Sequence, residues 1–280
     1  AMHHLVNEVF DNAMDEAVAG FAGTIEFEFK KNNVITIKDD GRGIPVDPHP
    51  KFPKKSALEV ILTMLHSGGK FGGKVYDTSG GLHGVGISVV NALSDHLEAE
   101  VIRDKKIFRQ EYSRGEPTGK LKAAGASPKG RGTTITFHPD PKIFGKAQFR
   151  AEKLYKLARS KAYLFRGVEI VWKCDPSLVE DTPEVPAQDT IHFPGGLGDF
   201  LSQHLGGRAT VTAEPFTGEA ELPNKQGRLE WAITWPTDEE PYISTYCNTI
   251  PTAEGGTHES GMRSALTKGI KAYGELAGNK

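Results

Sequence analysis

Glu8 and Asn12 are an acid and an amide four residues apart, so on a helix they stand one turn apart on one face. An acid there can take a proton from water, and the amide oxygen is a hard ligand for a cation such as Mg2+. Further on, Asp39-Asp40-Gly41-Arg42-Gly43-Ile44-Pro45 sets a carboxylate beside two glycines and a proline. A carboxylate at the base of an apolar pocket can accept from an exocyclic amine such as that of adenine, and a buried acceptor discriminates strongly against a base without the donor. The glycines let a flat ring approach the backbone. Ser67 to Gly86 then holds eight glycines and runs directly into an apolar segment with helical spacing. Glycines that lead into a helix N-terminus present unpaired N–H groups and the positive end of the dipole, which together make a phosphate cradle. The three stretches read jointly as a nucleotide site: Asp39 for the base, the glycine-rich loop for phosphates, Asn12 for Mg2+, and Glu8 for the attacking water.

Two common cradles are excluded. Gly68 to Lys74 spells G-x-x-x-x-G-K, but Val75 follows where a P-loop needs a hydroxyl for the metal, and no strand precedes it. No G-x-G-x-x-G occurs. Each stretch alone also has a plain reading. Glu8 and Asn12 fit a solvated helix face, the glycine run fits a linker, and Asp39 fits a turn residue.

The elements that must hold these groups follow from periodicity. Leu5 to Gly20 carries apolar residues at helical spacing, with Gly20 placed as a C-cap. The pattern starts with no N-cap ahead of it, so the chain is expected to begin inside a helix, as a piece of a longer protein. Thr24 to Lys30 and Val34 to Lys38 alternate as a hairpin across Lys31-Asn32-Asn33. Pro48 to Lys55 reads as a surface loop. Ser56-Ala57-Leu58-Glu59 is a capping box that opens a helix through His66. A helix over Val85 to Leu93 follows the glycines. Strands are expected at Leu97 to Arg103, Ile107 to Tyr112, Leu121 to Ala123, Thr133 to Phe137 and Val168 to Lys173, with a basic helix at Gln148 to Leu164. Asp175 to Asp189 reads as a linker. Beyond it come a helix at Leu197 to Leu205, strands at Leu229 to Trp235 and Tyr242 to Asn248, and a helix from about Glu259. Interleaved strands and helices make this an α+β chain in two domains, 1–175 and 187–280.

Composition narrows the class. The 280 residues are 38% hydrophobic and 25% charged with a net charge of −2, ordinary for globular domains and with no global demand for nucleic acid. No apolar run approaches ~18 residues, so no membrane-spanning helix is expected. Cys174 and Cys247 stand in no metal spacing, read as hydrophobic fillers, and suit a reduced, cytoplasmic chain.

Three motifs carry a resemblance. Glu8 to Ala17 (E-x-x-D-N-x-x-D-E-A), Asp39 to Pro45 (D-D-G-R-G-I-P) and Ser79 to Gly86 (S-G-G-L-H-G-V-G) resemble the gyrase/Hsp90/histidine-kinase/MutL ATPases. Leu65 to Phe71 and Ile250 to His258 are similar to the B subunits of bacterial type II topoisomerases in particular. These fall into two paralogous groups, gyrase B and its topoisomerase IV counterpart, ParE; His49 to Pro53 and Tyr246 to Pro251 look more like ParE. The resemblance implies a Bergerat-type α/β sandwich, a mixed and mostly antiparallel sheet covered by helices, followed by a transducer domain truncated on its C-terminal side.

It also implies roles. Glu8 is the general base, supported by His4 one turn earlier, and Asn12 ligates Mg2+. Asp39 reads adenine directly and through a water shared with Thr133. Gly43, Ile44 and Pro45 line the adenine pocket, and Arg42 stacks at its mouth. Tyr76 reaches the nucleotide and Lys70 the phosphates. Gly81, Leu82, His83, Gly84, Val85 and Gly86 form the phosphate-binding turn. Arg109 rims the place where coumarin antibiotics overlap ATP. The implied partners are DNA, an A-type topoisomerase subunit (ParC or gyrase A-like), and a second copy on ATP binding. The family's Q-T-K loop and N-terminal arm are not found, so the chain is expected to bind nucleotide but to dimerise and hydrolyse poorly. Other readings are a kinase, chaperone or mismatch-repair relative, a non-hydrolysing ATP-gated clamp, or a nucleic-acid module using Lys153, Lys156, Arg159, Lys161 and Arg166.

Overall fold

The computed structural model describes residues 2–65, 86–223, 227–238, 241–247 and 250–278. Helix α1 (Met2–Val18) buries Leu5, Val6, Val9, Phe10, Ala13 and Ala17, the stripe that its spacing demands. Gly20 follows at φ +78°, a left-handed position suited to glycine. Strands β1 (Thr24–Lys30) and β2 (Val34–Asp39) form the hairpin, with Asn32 and Asn33 both at φ 59° in its turn.

The segment read as a surface loop is instead a small hairpin, β3 (Pro48–His49) with β4 (Phe52–Ser56). Its side chains are mostly exposed, so it leaves no alternating apolar signal. Ser56 caps α2 (Ala57–Thr63), accepting from Glu59 N at 3.1 Å, and the helix stops at Met64, short of His66. Helix α3 (Gly86–Ala92) leads into β5 (Ser94–Arg103), β6 (Lys106–Ser113), β7 (Glu116–Pro117), β8 (Lys122–Ala126) and β9 (Gly132–Pro139). After a short α4 (Pro141–Phe144) comes α5 (Ala151–Leu164), then β10 (Glu169–Cys174). The expected linker rejoins this body: Val185 is buried, and β11 (Gln188–Ile191) pairs antiparallel with β10. The remainder holds α6 (Leu197–Leu205), β12 (Phe216–Glu221), β13 (Arg228–Ile233), β14 (Tyr246–Cys247), β15 (Ile250–Pro251) and α7 (Thr257–Leu276).

Among the described residues the main sheet runs β11-β10-β1-β2-β9-β5-β6-β7, with β8 also on β6. Only β1 with β10 is parallel, so the sheet is mixed and mostly antiparallel. One face packs Ile25, Phe27, Ile37, Val101, Ile135 and Phe137 against α1, α3 and α5. Asp39 closes the inward row of β2 after Ile35 and Ile37, so the pleat itself carries a carboxylate to the core side.

Two expectations need correction. Cys247 is exposed and fills no core, whereas Cys174 is buried. The basic helix α5 presents no continuous strip. Lys161 is buried and pairs with Asp11 at 2.6 Å, because its turn of α5 faces α1. Arg159 donates to Gln203 at 2.9 Å and Arg166 to Glu230 at 2.5 Å, which ties both to the C-terminal part of the chain.

Candidate functional site

The site is assembled where α1 crosses the end of β2. Glu8, Asn12 and Glu16 recur every four residues and line one half-buried face of α1. Asn12 Nδ2 donates to Glu8 O at 2.9 Å, which orients the amide; its Oδ1 takes no hydrogen bond among the described residues. The Glu8 carboxylate rests against Gly86, where an added Cβ would lie 1.8 Å from Oε2. Glycine at 86 is therefore a steric requirement of the acid.

At the end of β2, Asp39 is 6% exposed. Its Oδ1 accepts from Gly41 N at 2.8 Å and more weakly from Thr133 N at 3.4 Å. Oδ2 takes no hydrogen bond among the described residues, which leaves one carboxylate oxygen for an incoming donor. Burial pushes the carboxyl up to about 7; the Gly41 N–H pulls the other way, and the charge of Glu16 adds to the rise. Asp40 does structural work, its Oδ1 accepting from Gly23 N and Thr24 N.

The loop after Asp39 is shaped by close approaches. Gly43 sits at φ +76°, and a Cβ on Gly132 would meet Asp39 O at 1.9 Å. Ile44 N donates to Thr133 Oγ1 at 3.1 Å, and Arg103 Nη1 donates to Gly43 O at 2.9 Å. Ile44 packs on the core and Pro45 stays exposed. Arg42 grips Glu16 through its backbone N at 3.0 Å, Nε at 3.1 Å and Nη2 at 2.7 Å. Its guanidinium also lies 3.8 Å over the Phe21 ring.

The structure thus brings Glu8, Asn12, Asp39, Arg42, Gly43, Ile44, Thr133 and Gly86 to one end of the sheet. Two residues are not brought there. His4 is exposed and makes no hydrogen bond to Glu8. Arg109 pairs with Glu100 at 2.5 Å; register sets Glu100 across from Thr134, on the sheet face opposite Thr133 and Asp39. Lys70, Tyr76, Gly81, Leu82, His83, Gly84 and Val85 lie outside the described residues. Sequence reasoning missed Glu16, Gly132 and Arg103. Only Glu16 had a signal, the four-residue repeat from Glu8 and Asn12.

Residues 1–143 match the family model described as histidine kinase-, DNA gyrase B-, and HSP90-like ATPase. The chain belongs to that ATPase family. Within the family, residues 196–280 also match a DNA gyrase B model. The ATPase chain is 56% identical to the B subunit of DNA topoisomerase 4 from Bartonella bacilliformis, covering 100% of this chain and 40% of that one. To the protein of the same name from Caulobacter vibrioides it is 55% identical, covering 100% and 41%. It therefore spans about 40% of the length of the curated relatives it matches. Among solved structures it resembles the 43K ATPase domain of Thermus thermophilus gyrase B in complex with an aminocoumarin, at TM-score 0.80 and 35% identity, covering 100% of this chain and 69% of that one.

Proposed function

We propose that this chain binds ATP with Mg2+ and is the ATP-hydrolysing region of the B subunit of a bacterial type II DNA topoisomerase, of the topoisomerase IV kind. The observation that carries the reading is Asp39. It is a buried carboxylate whose Oδ1 is held by backbone N–H groups while Oδ2 stays open toward a glycine-shaped loop. That arrangement suits an exocyclic amine donor better than any structural role, because burying an acid without a partner is costly. Support for topoisomerase IV over gyrase comes from 56% identity to the former against 35% to the gyrase B domain above.

Glu8 accepts the proton of the attacking water, and Gly86 leaves it room. Asn12 Oδ1 is turned outward by the bond from its own Nδ2 to Glu8 O, and is the protein's ligand for Mg2+. No cluster of three or more His, Cys, Asp or Glu capable of holding a metal occurs among the described residues. A single amide ligand suits Mg2+, which keeps several waters and takes phosphate oxygens. When bound, the ion neutralises and orients the phosphates. Thr133 and Ile44 fix the floor of the adenine pocket, and the loop from Lys70 to Gly86 is assigned to the phosphates.

The division into 1–175 and 187–280 corresponds in this reading to an ATPase unit and a transducer. The partners follow the same reading: DNA, an A-type subunit, a second copy on ATP binding, and coumarin inhibitors at the ATP site, all in the cytoplasm.

Calorimetric titration with a non-hydrolysable ATP analogue and Mg2+, beside a GTP analogue, tests the proposal. Binding of the adenine analogue alone, weakened at least tenfold by Asp39→Asn, is the expected result. Equal binding of both nucleotides by the folded chain would overturn it.

A further inference from the structure

Away from the nucleotide groups, the chain buries one ion pair between two helices. Lys161 Nζ lies 2.6 Å from Asp11 Oδ1, with the side chains only 3% and 12% exposed. Asp11 is the residue before Asn12 and the third after Glu8. At about 100° per residue it lies about 60° around α1 from Glu8 and about 100° from Asn12. Its partner therefore holds α1 from the side, close in angle to the groups that α1 presents to the site.

The other contacts that seat α1 are apolar, through Val6, Val9, Phe10 and Ala13. Apolar contact resists separation but has little directionality, so it leaves rotation about the helix axis weakly fixed. An ion pair between a short acid and a fully buried lysine is directional. The lysine itself is anchored, since α5 buries Leu154, Ala158 and Ala162. Just beyond, the Tyr163 and Tyr246 hydroxyls bond each other, and Arg159 holds Gln203. A rotation of α1 by roughly 20° would move side-chain oxygens on its surface by about 2 Å, more than a cation site tolerates.

We propose that Lys161 is a positioning residue. Through its buried pair with Asp11 it fixes the rotation of α1 and so aims Asn12 at the metal and Glu8 at the phosphate end. This rests on the ATP–Mg2+ reading above. It assigns a task to a charge that the chemistry does not use, and it explains why a lysine of the basic helix is turned inward.

The test compares the wild-type chain with Lys161→Met and with the double variant Asp11→Leu/Lys161→Met. Calorimetry gives the affinity for a non-hydrolysable ATP analogue with Mg2+ and without it. The readout is the ratio of the two, which general loosening of the fold does not alter selectively. In both variants metal-free affinity should stay within threefold of wild type, while the tightening by Mg2+ falls at least tenfold. If Lys161→Met does not fold, the double variant decides, because it leaves no lone buried charge. Wild-type tightening in the folded double variant would overturn the proposal, as would metal-free and metal-bound affinity falling together. A wild-type chain that binds no analogue would sink the ATP reading and this inference with it. A wild type that tightens with Mg2+ keeps that reading whichever way the variants fall.

Discussion

The carboxylate of Glu8 and the backbone of Gly86 are in direct contact, so that a methyl group at 86 would stand 1.8 Å from Oε2. The first residue of α3 is thereby one wall of the pocket that holds the acid. Alanine at 86 must push the carboxylate aside or shift α3. Misplacing a reacting group by about 1 Å costs on the order of a hundredfold in rate. In the full-length protein Gly86→Ala should lower ATP turnover about a hundredfold and weaken analogue binding less than tenfold. Equal losses in turnover and binding would mean that Gly86 serves the phosphates rather than the base.

Asp39 couples pH to both stability and binding. Its carboxyl is raised from an ordinary 3.8 to about 7, chiefly by burial. Between those values the folded chain holds a proton that the unfolded chain has released. Stability from this group is therefore greatest below about pH 4, declines as pH rises, and stays at its lowest above about pH 7, by an amount on the order of 4 kcal/mol at most. Asp39→Asn should raise the melting temperature of the ligand-free chain at pH 8 and leave it nearly unchanged at pH 4. Binding runs the other way. At pH 6 the carboxylate is ionised in roughly one molecule in ten, so analogue affinity should be about tenfold weaker than at pH 8. The Asn variant should lack that dependence, and a wild-type profile as flat as the variant's would refute the assignment.

The parts of this architecture legible in the sequence are those where periodicity and chemistry coincide. The α1 stripe, the hairpin of β1 and β2 and the Ser56 cap are each visible in residue types alone. Asp39 is legible twice, as the last inward position of an alternating strand and as the acid of a glycine-rich loop. Strands β7, β8 and β12 expose most of their side chains, so no apolar alternation marks them. The Asp175 to Asp189 segment is rich in proline, yet Val185 and Ile191 tie it back to the sheet through contacts that only the fold supplies. Lys161 looks solvated on a basic helix until Asp11, 150 positions earlier, is placed beside it. Arg109 shows the same limit: its face depends on a register that residue types do not reveal.

Glu16 reaches Asp39 through charge. Its carboxylate is bound by Arg42 at 2.7 Å, yet it still adds to the rise of the Asp39 carboxyl. Glu16→Gln removes that repulsion, so the pH midpoint of analogue binding should move down. The Arg42 pair is partly exposed, and its loss should cost less than about 1 kcal/mol of stability by denaturant titration. A midpoint that stays in place while stability falls would show that Glu16 acts only through Arg42.

Gly132 tests how tightly the adenine loop is built. It sits at φ +121°, and a Cβ there would lie 1.9 Å from Asp39 O, a backbone atom that cannot swing away as a side chain would. Gly132→Ala therefore meets two penalties together, an unfavourable backbone conformation and a clash between β9 and β2. Strained backbone positions cost of order 1–3 kcal/mol each, so a loss of about 3 kcal/mol by chemical denaturation is expected. The strand can relieve the clash only by drawing Thr133 away from Asp39 and Ile44, the two groups it bonds. Analogue affinity should then fall at least tenfold, with Mg2+ tightening intact, because Asn12 and Glu8 lie on α1 and not on β9. Loss of the metal effect alongside base affinity would mean instead that the two ends of the site move as one body.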